Sequence, residues 1–197
     1  TTDADGETVT LTYAWTVSGV AAASAGDTLD DAHWERGDTV TCTVTPFDGV
    51  DSGAAVASNS VTIDNAPPSI TSVSITPTSP TVTDDLTCSH TGFSDPDGDA
   101  DASTTAWTVN GAAAGSATTL GVGSFASGDT VVCTVTPDDG TDTGTPIDAT
   151  VVVGNTAPEI TSVSIAPTSA VVGDSLTCSY SGYSDDDGDA DQSTYLW

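Results

Sequence analysis

The sequence repeats itself at a fixed period, and this constrains the fold more than anything else in it. Residues 65–88, NAPPSITSVSITPTSPTVTDDLTC, return as 155–178, NTAPEITSVSIAPTSAVVGDSLTC, an offset of 90. The acidic run Asp95-Pro96-Asp97-Gly98-Asp99-Ala100-Asp101 returns over Asp185–Asp191 at the same offset, and an earlier version, Asp3-Ala4-Asp5-Gly6-Glu7, opens the sequence. In all three copies the first Asp stands 12 residues before a Trp: Trp15, Trp107 and Trp197. Downstream, HWERGDTVTCTVTPFDG (33–49) matches FASGDTVVCTVTPDDG (125–140), which aligns Trp34 with Phe125. Self-similarity of this kind marks a tandem array of similar units, here of about 90 residues. The expected division is a partial repeat over 1–64, from its third strand onward, a complete repeat over 65–154, and a partial repeat over 155–197. A stretch that opens inside one unit and stops inside another is expected to come from a longer chain, so a missing start methionine carries no weight.

Each unit reads as all-β. Val40, Cys42 and Val44 alternate with threonines, as do Val131, Cys133 and Val135. Leu11, Tyr13, Trp15 and Val17 alternate likewise. Period two over several residues is the signal of a half-buried strand. No stretch keeps a 3.6-residue period, and Gly, Pro, Asn and Asp punctuate the chain every 8–12 residues. Short, evenly spaced strands predict antiparallel β-sandwiches. Apolar residues make up only 37% of the chain, below the usual 45–50%, so each core must be small. Of 197 residues, 36 are Thr and 23 are Ser, and Thr alternating with Val suits strands.

The charge excludes several functions. There are 29 acids, 26 of them Asp, against one base, Arg36, giving a formal net charge of −28. Phosphate backbones are neutralised by Lys and Arg, so nucleic acid is not an expected partner, and an anionic membrane surface repels such a chain. A P-loop lysine, a catalytic lysine and a lysine isopeptide crosslink are all impossible. No apolar run approaches the roughly 20 residues of a membrane helix, so no membrane insertion is expected from this stretch.

The four cysteines stand at 42, 88, 133 and 178. Their spacing leaves open whether Cys88 pairs with Cys42 or with Cys133.

The junctions Asn65-Ala66-Pro67-Pro68 and Asn155-Thr156-Ala157-Pro158, the Asp-x-Asp-Gly-[Asp/Glu] loops before each Trp, and Gly-Asp-Thr before the second Cys together resemble a known family. The chain is similar to the tandem Ig-like or cadherin-like repeats of very large secreted bacterial surface and filament proteins. PKD repeats are a neighbouring family whose Trp-Asp-Phe-Gly-Asp-Gly signature is absent. The resemblance implies Ig-like sandwiches, with Cys88, Trp107 and Cys133 in the order strand B Cys, strand C Trp, strand F Cys. That order implies a Cys88–Cys133 bridge with Trp107 packed on it, Trp15 and Trp197 as the matching core residues, and Cys42 and Cys178 pairing with cysteines beyond this stretch. It also implies a secreted, extracellular or cell-surface location.

Four carboxylates in seven residues around Gly98 repel one another, and no Lys or Arg stands near them in sequence. Calcium takes six to eight oxygens, and alternating Asp with a Gly turn is how short loops wrap it. The expected ligands are Asp95, Asp97, Asp99 and Asp101, joined by Asp138 and Asp139 of the F–G loop at the same pole. The other copies supply Asp185, Asp187, Asp189 and Asp191, and Asp3, Asp5 and Glu7. The expected function is structural: a disulfide-bonded, calcium-stiffened repeat of a stalk, fibre or filament. Its partners would be neighbouring repeats of the same chain and laterally associated copies. The alternatives are an adhesin repeat that binds a ligand such as a polysaccharide, or a spacer of a secreted polysaccharide-active enzyme. Catalysis is not expected. His33 and His90 have no metal-ligand spacing, His90 aligns with Tyr180 as a strand residue, and repeated acidic loops do not form a unique cleft. Trp34 and Phe125 read as hydrophobic plugs under a turn.

Overall fold

The computed structural model describes residue 6, residues 8–24 and residues 26–197; the expected ligands Asp3, Asp5 and Glu7 lie outside the described residues. The chain is all-β with antiparallel sheets, and among the described residues the one helical turn is the 3-10 segment Asp31–His33. It divides into two compact units. One comprises the described residues up to Pro67 together with Asp95–Ala100, the other Pro68–Ser94 with Asp101–Trp197. The 95–100 loop is held by Arg36 and Ala66, and 155–197 groups with 68–154.

In the first unit, strands β1 (Thr10–Val17), β2 (Val20–Ala21), β3 (Thr39–Phe47), β4 (Val56–Ala57) and β5 (Val61–Thr62) form one sheet in the order β2-β1-β3-β4, with β5 also on β3. The alternation predicted from sequence sets the register: Trp15 faces Cys42, Tyr13 faces Val44 and Val17 faces Val40. Directly opposed residues share a face, so these six stand on one side of the sheet.

The second unit adds β6 (Ser72–Thr76), β7 (Leu86–Thr91), β8 (Thr104–Val109), β9 (Ala112–Gly115), β10 (Thr119–Leu120), β11 (Thr130–Thr136), β12 (Ile147–Val152), β13 (Ser162–Ala166) and β14 (Thr177–Ser181). Its sheets run β10-β7-β6, β12-β11-β8-β9 and β13-β14. The first two pack face to face in the manner of a β-sandwich. Ile75, Leu86, Cys88 and Leu120 from one meet Trp107, Val131, Cys133, Val135 and Val151 from the other in a single core, with Phe125 and Val153 at its margin. Cys88 and Cys133 form a disulfide across the sheets, their Cα atoms 6.3 Å apart. Trp107 is 1% exposed, lies opposite Cys133 in the β8–β11 register, and donates its indole N–H to the Ala117 carbonyl at 2.8 Å. The indole thereby keeps its one donor satisfied inside an apolar core.

Trp15 repeats this arrangement on a smaller scale, half-buried and donating to the Gly26 carbonyl at 3.0 Å. Trp197 does not. Residues 190–197 join no described strand, and Trp197 is 77% exposed. Phe125 is a buried plug, as its position before the second Cys suggested, and Trp34 is half-buried. Cys42 and Cys178 are free thiols, each half-buried.

Candidate functional site

The acidic runs fold as loops built around their first carboxylate. Asp95 Oδ1 accepts the backbone N–H of Asp97 at 2.9 Å and of Asp99 at 3.0 Å, while the N–H of Gly98 reaches the Asp95 carbonyl at 3.3 Å. Asp185 does the same for Asp187 and Asp189, both at 3.0 Å, with Gly188 on the Asp185 carbonyl at 3.2 Å. Asp favours such turns because its short side chain reaches its own backbone two residues on. The turn demands glycine: φ is +82° at Gly98 and +80° at Gly188, a region costly for any residue with a Cβ.

The carboxylates of each run then serve different partners. Asp97 Oδ2 accepts the N–H of Ala66 at 2.7 Å, and Asp187 Oδ2 accepts the N–H and the hydroxyl of Thr156. The Asp at the third position of each run therefore pins the backbone of the preceding Asn-x-x-Pro junction. Asp101 pairs with His90 Nε2 at 2.8 Å and accepts the Ser103 N–H at 2.9 Å. Its counterpart Asp191 accepts the hydroxyl of Tyr180 at 2.6 Å and the Ser193 N–H at 2.9 Å. Replacing His90 by Tyr180 keeps a donor opposite the same carboxylate, and that was the sequence signal for the pairing.

Arg36 corrects one expectation. The sequence offered no local counter-charge, yet the Arg36 guanidinium bonds both Asp99 and Asn65. The 63 residues separating Arg36 from Asp99 hid the pairing. Because Arg36 is the sole Lys or Arg of the chain, the equivalent Asp189 has no such partner to draw on; the residue aligned with Arg36 is Ser127.

Titration follows these contacts. For Asp101, burial is the largest single influence and raises the pKa, but the hydrogen bonds from Ser103 and His90 together outweigh it and hold the group below its ordinary value. Asp191 is held low by the Tyr180 hydroxyl and then by Ser103's counterpart Ser193, and Tyr180 is in turn pushed up by the same carboxylate. Burial pushes the Tyr183 hydroxyl up, helped by Asp185, Asp191 and Asp189.

Asp138 Oδ1 accepts from Gly140 at 2.7 Å, and Asp139 Oδ1 accepts from Thr141 at 2.6 Å and Asp142 at 2.7 Å, so both close their own turn. The backbone N–H of Ala102 donates to the Asp138 carbonyl at 2.8 Å. Among the described residues no three His, Cys, Asp or Glu side chains converge as a metal-binding group. Three carboxylate oxygens are nevertheless buried without a hydrogen-bond partner: Asp95 Oδ2, Asp185 Oδ2 and Asp187 Oδ1. Burying an ionised oxygen unpaired is costly, so such atoms call for a cation, a water or a proton.

No protein-family model matches the chain. No curated protein matches it either.

Proposed function

We propose that the chain is a run of tandem Ig-like repeats serving as a structural spacer of an extracellular stalk, fibre or filament, stiffened by calcium at its acidic loops. The observation that carries the reading is the pair of orphaned oxygens at equivalent positions, Asp95 Oδ2 and Asp185 Oδ2, each in a loop that also pins the preceding junction. An array that repeats the same loop and the same junction is suited to spacing and orienting rather than to a single reaction. Supporting the Ig-like part is the β10-β7-β6 sheet facing β12-β11-β8-β9, with Trp107 beside a cysteine bridge between them.

The donors fit a hard oxygen-seeking cation. They are carboxylates in a glycine turn, and because few of them converge, backbone carbonyls and water would complete the shell. Asp185 and Asp187 would hold the ion in the second loop. In the first, Arg36 already neutralises Asp99, so Asp95 and Asp97 would hold it more weakly. The chain would supply no chemistry beyond this; the ion would offset the repulsion that four carboxylates create.

The test is small-angle X-ray scattering of the dilute chain with calcium and with a chelator. The reading expects a longer and better-defined maximum dimension with calcium. Identical profiles would refute it.

A further inference from the structure

The junction at Asn65 and Ala66 is tied twice to the acidic loop 95–100, and one tie is a cation that the chain itself supplies. Asp97 Oδ2 accepts the Ala66 N–H at 2.7 Å. Beside it the Arg36 guanidinium donates to Asn65 Oδ1 and to the Asp99 carboxylate, the second of its bonds to Asp99 measuring 3.5 Å. All of these residues fall in one compact unit. The turn that carries Arg36 is itself fixed. Gly37, at φ +88°, donates its N–H to the Ile63 carbonyl at 2.9 Å, and Asp38 Oδ2 accepts the Glu35 N–H at 2.9 Å. The backbone on both sides of Arg36 is therefore ordered before the guanidinium meets its acceptors.

The same turn returns in the next copy. Gly128, at φ +83°, donates to the Val153 carbonyl at 2.9 Å, and Asp129 Oδ2 accepts the Ala126 N–H at 2.7 Å. The junction contact returns too, with Asp187 Oδ2 accepting the N–H of Thr156 and, at 2.6 Å, its hydroxyl. What changes is the cation, since Ser127 stands where Arg36 stands. The loop that has Arg36 leaves one carboxylate oxygen buried without a partner, Asp95 Oδ2. The loop that has Ser127 leaves two, Asp185 Oδ2 and Asp187 Oδ1.

We infer that Arg36 is a tethered cation that latches the 95–100 loop to its junction without a metal ion, and that the residue at this place in the turn decides whether a loop needs one. A guanidinium is always charged, and its planar fork of donors can bond a carboxylate and an amide oxygen together. Calcium seeks the same oxygens, so the two cations compete for one loop. At Ser127 there is no competitor, and the second loop is held firmly when an ion arrives from solution. The part that concerns calcium rests on the reading proposed above; the latch itself does not. The Arg36 side chain is 37% exposed, so the first latch weakens with salt and ignores a chelator.

The test is hydrogen–deuterium exchange of the whole chain, read by NMR at the amides of Ala66 and Thr156 in the presence of a chelator. The wild type is compared with Arg36→Met, which keeps the apolar stem and removes the charge, and with Ser127→Arg. Ala66 is expected to exchange at least about tenfold faster in Arg36→Met, and Thr156 at least about tenfold slower in Ser127→Arg, while the amides of β11 exchange as before. An unchanged Ala66 rate in Arg36→Met overturns the latch, and an unchanged Thr156 rate in Ser127→Arg overturns the role of this position. If β11 also exchanges faster in Arg36→Met, Asp99→Asn removes the same ion pair from the other side and gives the same reading. Added calcium is then expected to slow Thr156 in the wild type and Ala66 in Arg36→Met, and to leave Ala66 of the wild type unmoved. If calcium moves none of these amides while the chelator results hold, the calcium reading fails and the latch stands. Equal slowing of Ala66 by calcium in the wild type and in Arg36→Met would overturn the competition between the two cations.

Discussion

Trp107 is where the account of the fold is most exposed to a single substitution. The side chain is 1% exposed, sits on the Cys88–Cys133 bridge between two sheets, and donates at 2.8 Å to the Ala117 carbonyl. Trp107→Ala removes the largest side chain of the core and leaves a cavity that a two-sheet frame tied by a disulfide cannot collapse. Such truncations cost about 3–5 kcal/mol. Trp107→Phe keeps most of the packing but orphans the Ala117 carbonyl and leaves a small void, so the hydrogen-bond part alone costs about 1–3 kcal/mol. The expected order is therefore wild type, then Phe at a loss of about 2 kcal/mol, then Ala at a loss of about 4 kcal/mol. Urea denaturation followed by circular dichroism measures both, and the total stability of a domain is only about 5–15 kcal/mol. The Ala variant is thus expected to lie close to unfolding. A loss below about 1 kcal/mol for Trp107→Ala would refute the claim that this residue is the keystone between the sheets.

Three further outcomes follow from the same geometry. Replacing Cys88 and Cys133 together by Ala opens a loop of 45 residues, which should cost about 4 kcal/mol by the chain-entropy estimate, read as a lower urea midpoint; no change in midpoint would contradict it. Gly144→Ala brings a Cβ to 1.8 Å from the Pro68 carbonyl oxygen, so the backbone must shift, and a loss of about 1–3 kcal/mol is expected by thermal melting. The pKa values of Asp101, Asp129 and Asp191 lie below their ordinary range in the folded chain. Their contribution is therefore complete above the unfolded value near about 4 and is lost as pH falls through the folded values. Asp129→Asn, which removes the titrating carboxylate and replaces one of the two oxygens that accept from Ala126 and Asn110 by an amide donor, should flatten the fall of melting temperature between about pH 5 and 2; parallel curves would count against the assignment.

Much of the fold is legible in the sequence because its signals are local. The alternation of Val40, Cys42 and Val44 with threonines gives both strand and face, and Trp15 opposite Cys42 follows from two such strands pairing. The turn at Gly98 is local as well. What the sequence hides is contact at a distance. Arg36 reaches Asp99 across 63 residues, and no spacing rule points to it. The separate duties of Asp95, Asp97, Asp99 and Asp101 are hidden for the same reason, since four equal carboxylates in a row look like one cluster until the junction, Arg36 and His90 are in place.

The central claim is that the orphaned carboxylate oxygens of the acidic loops hold calcium, and calorimetric titration of the whole chain with calcium measures this directly. The account predicts saturable binding heat at millimolar calcium or below, reduced by Asp185→Asn more than by Asp95→Asn, because Arg36 already neutralises Asp99 in the first loop. Titration without heat, or binding unaffected by either substitution, would contradict it.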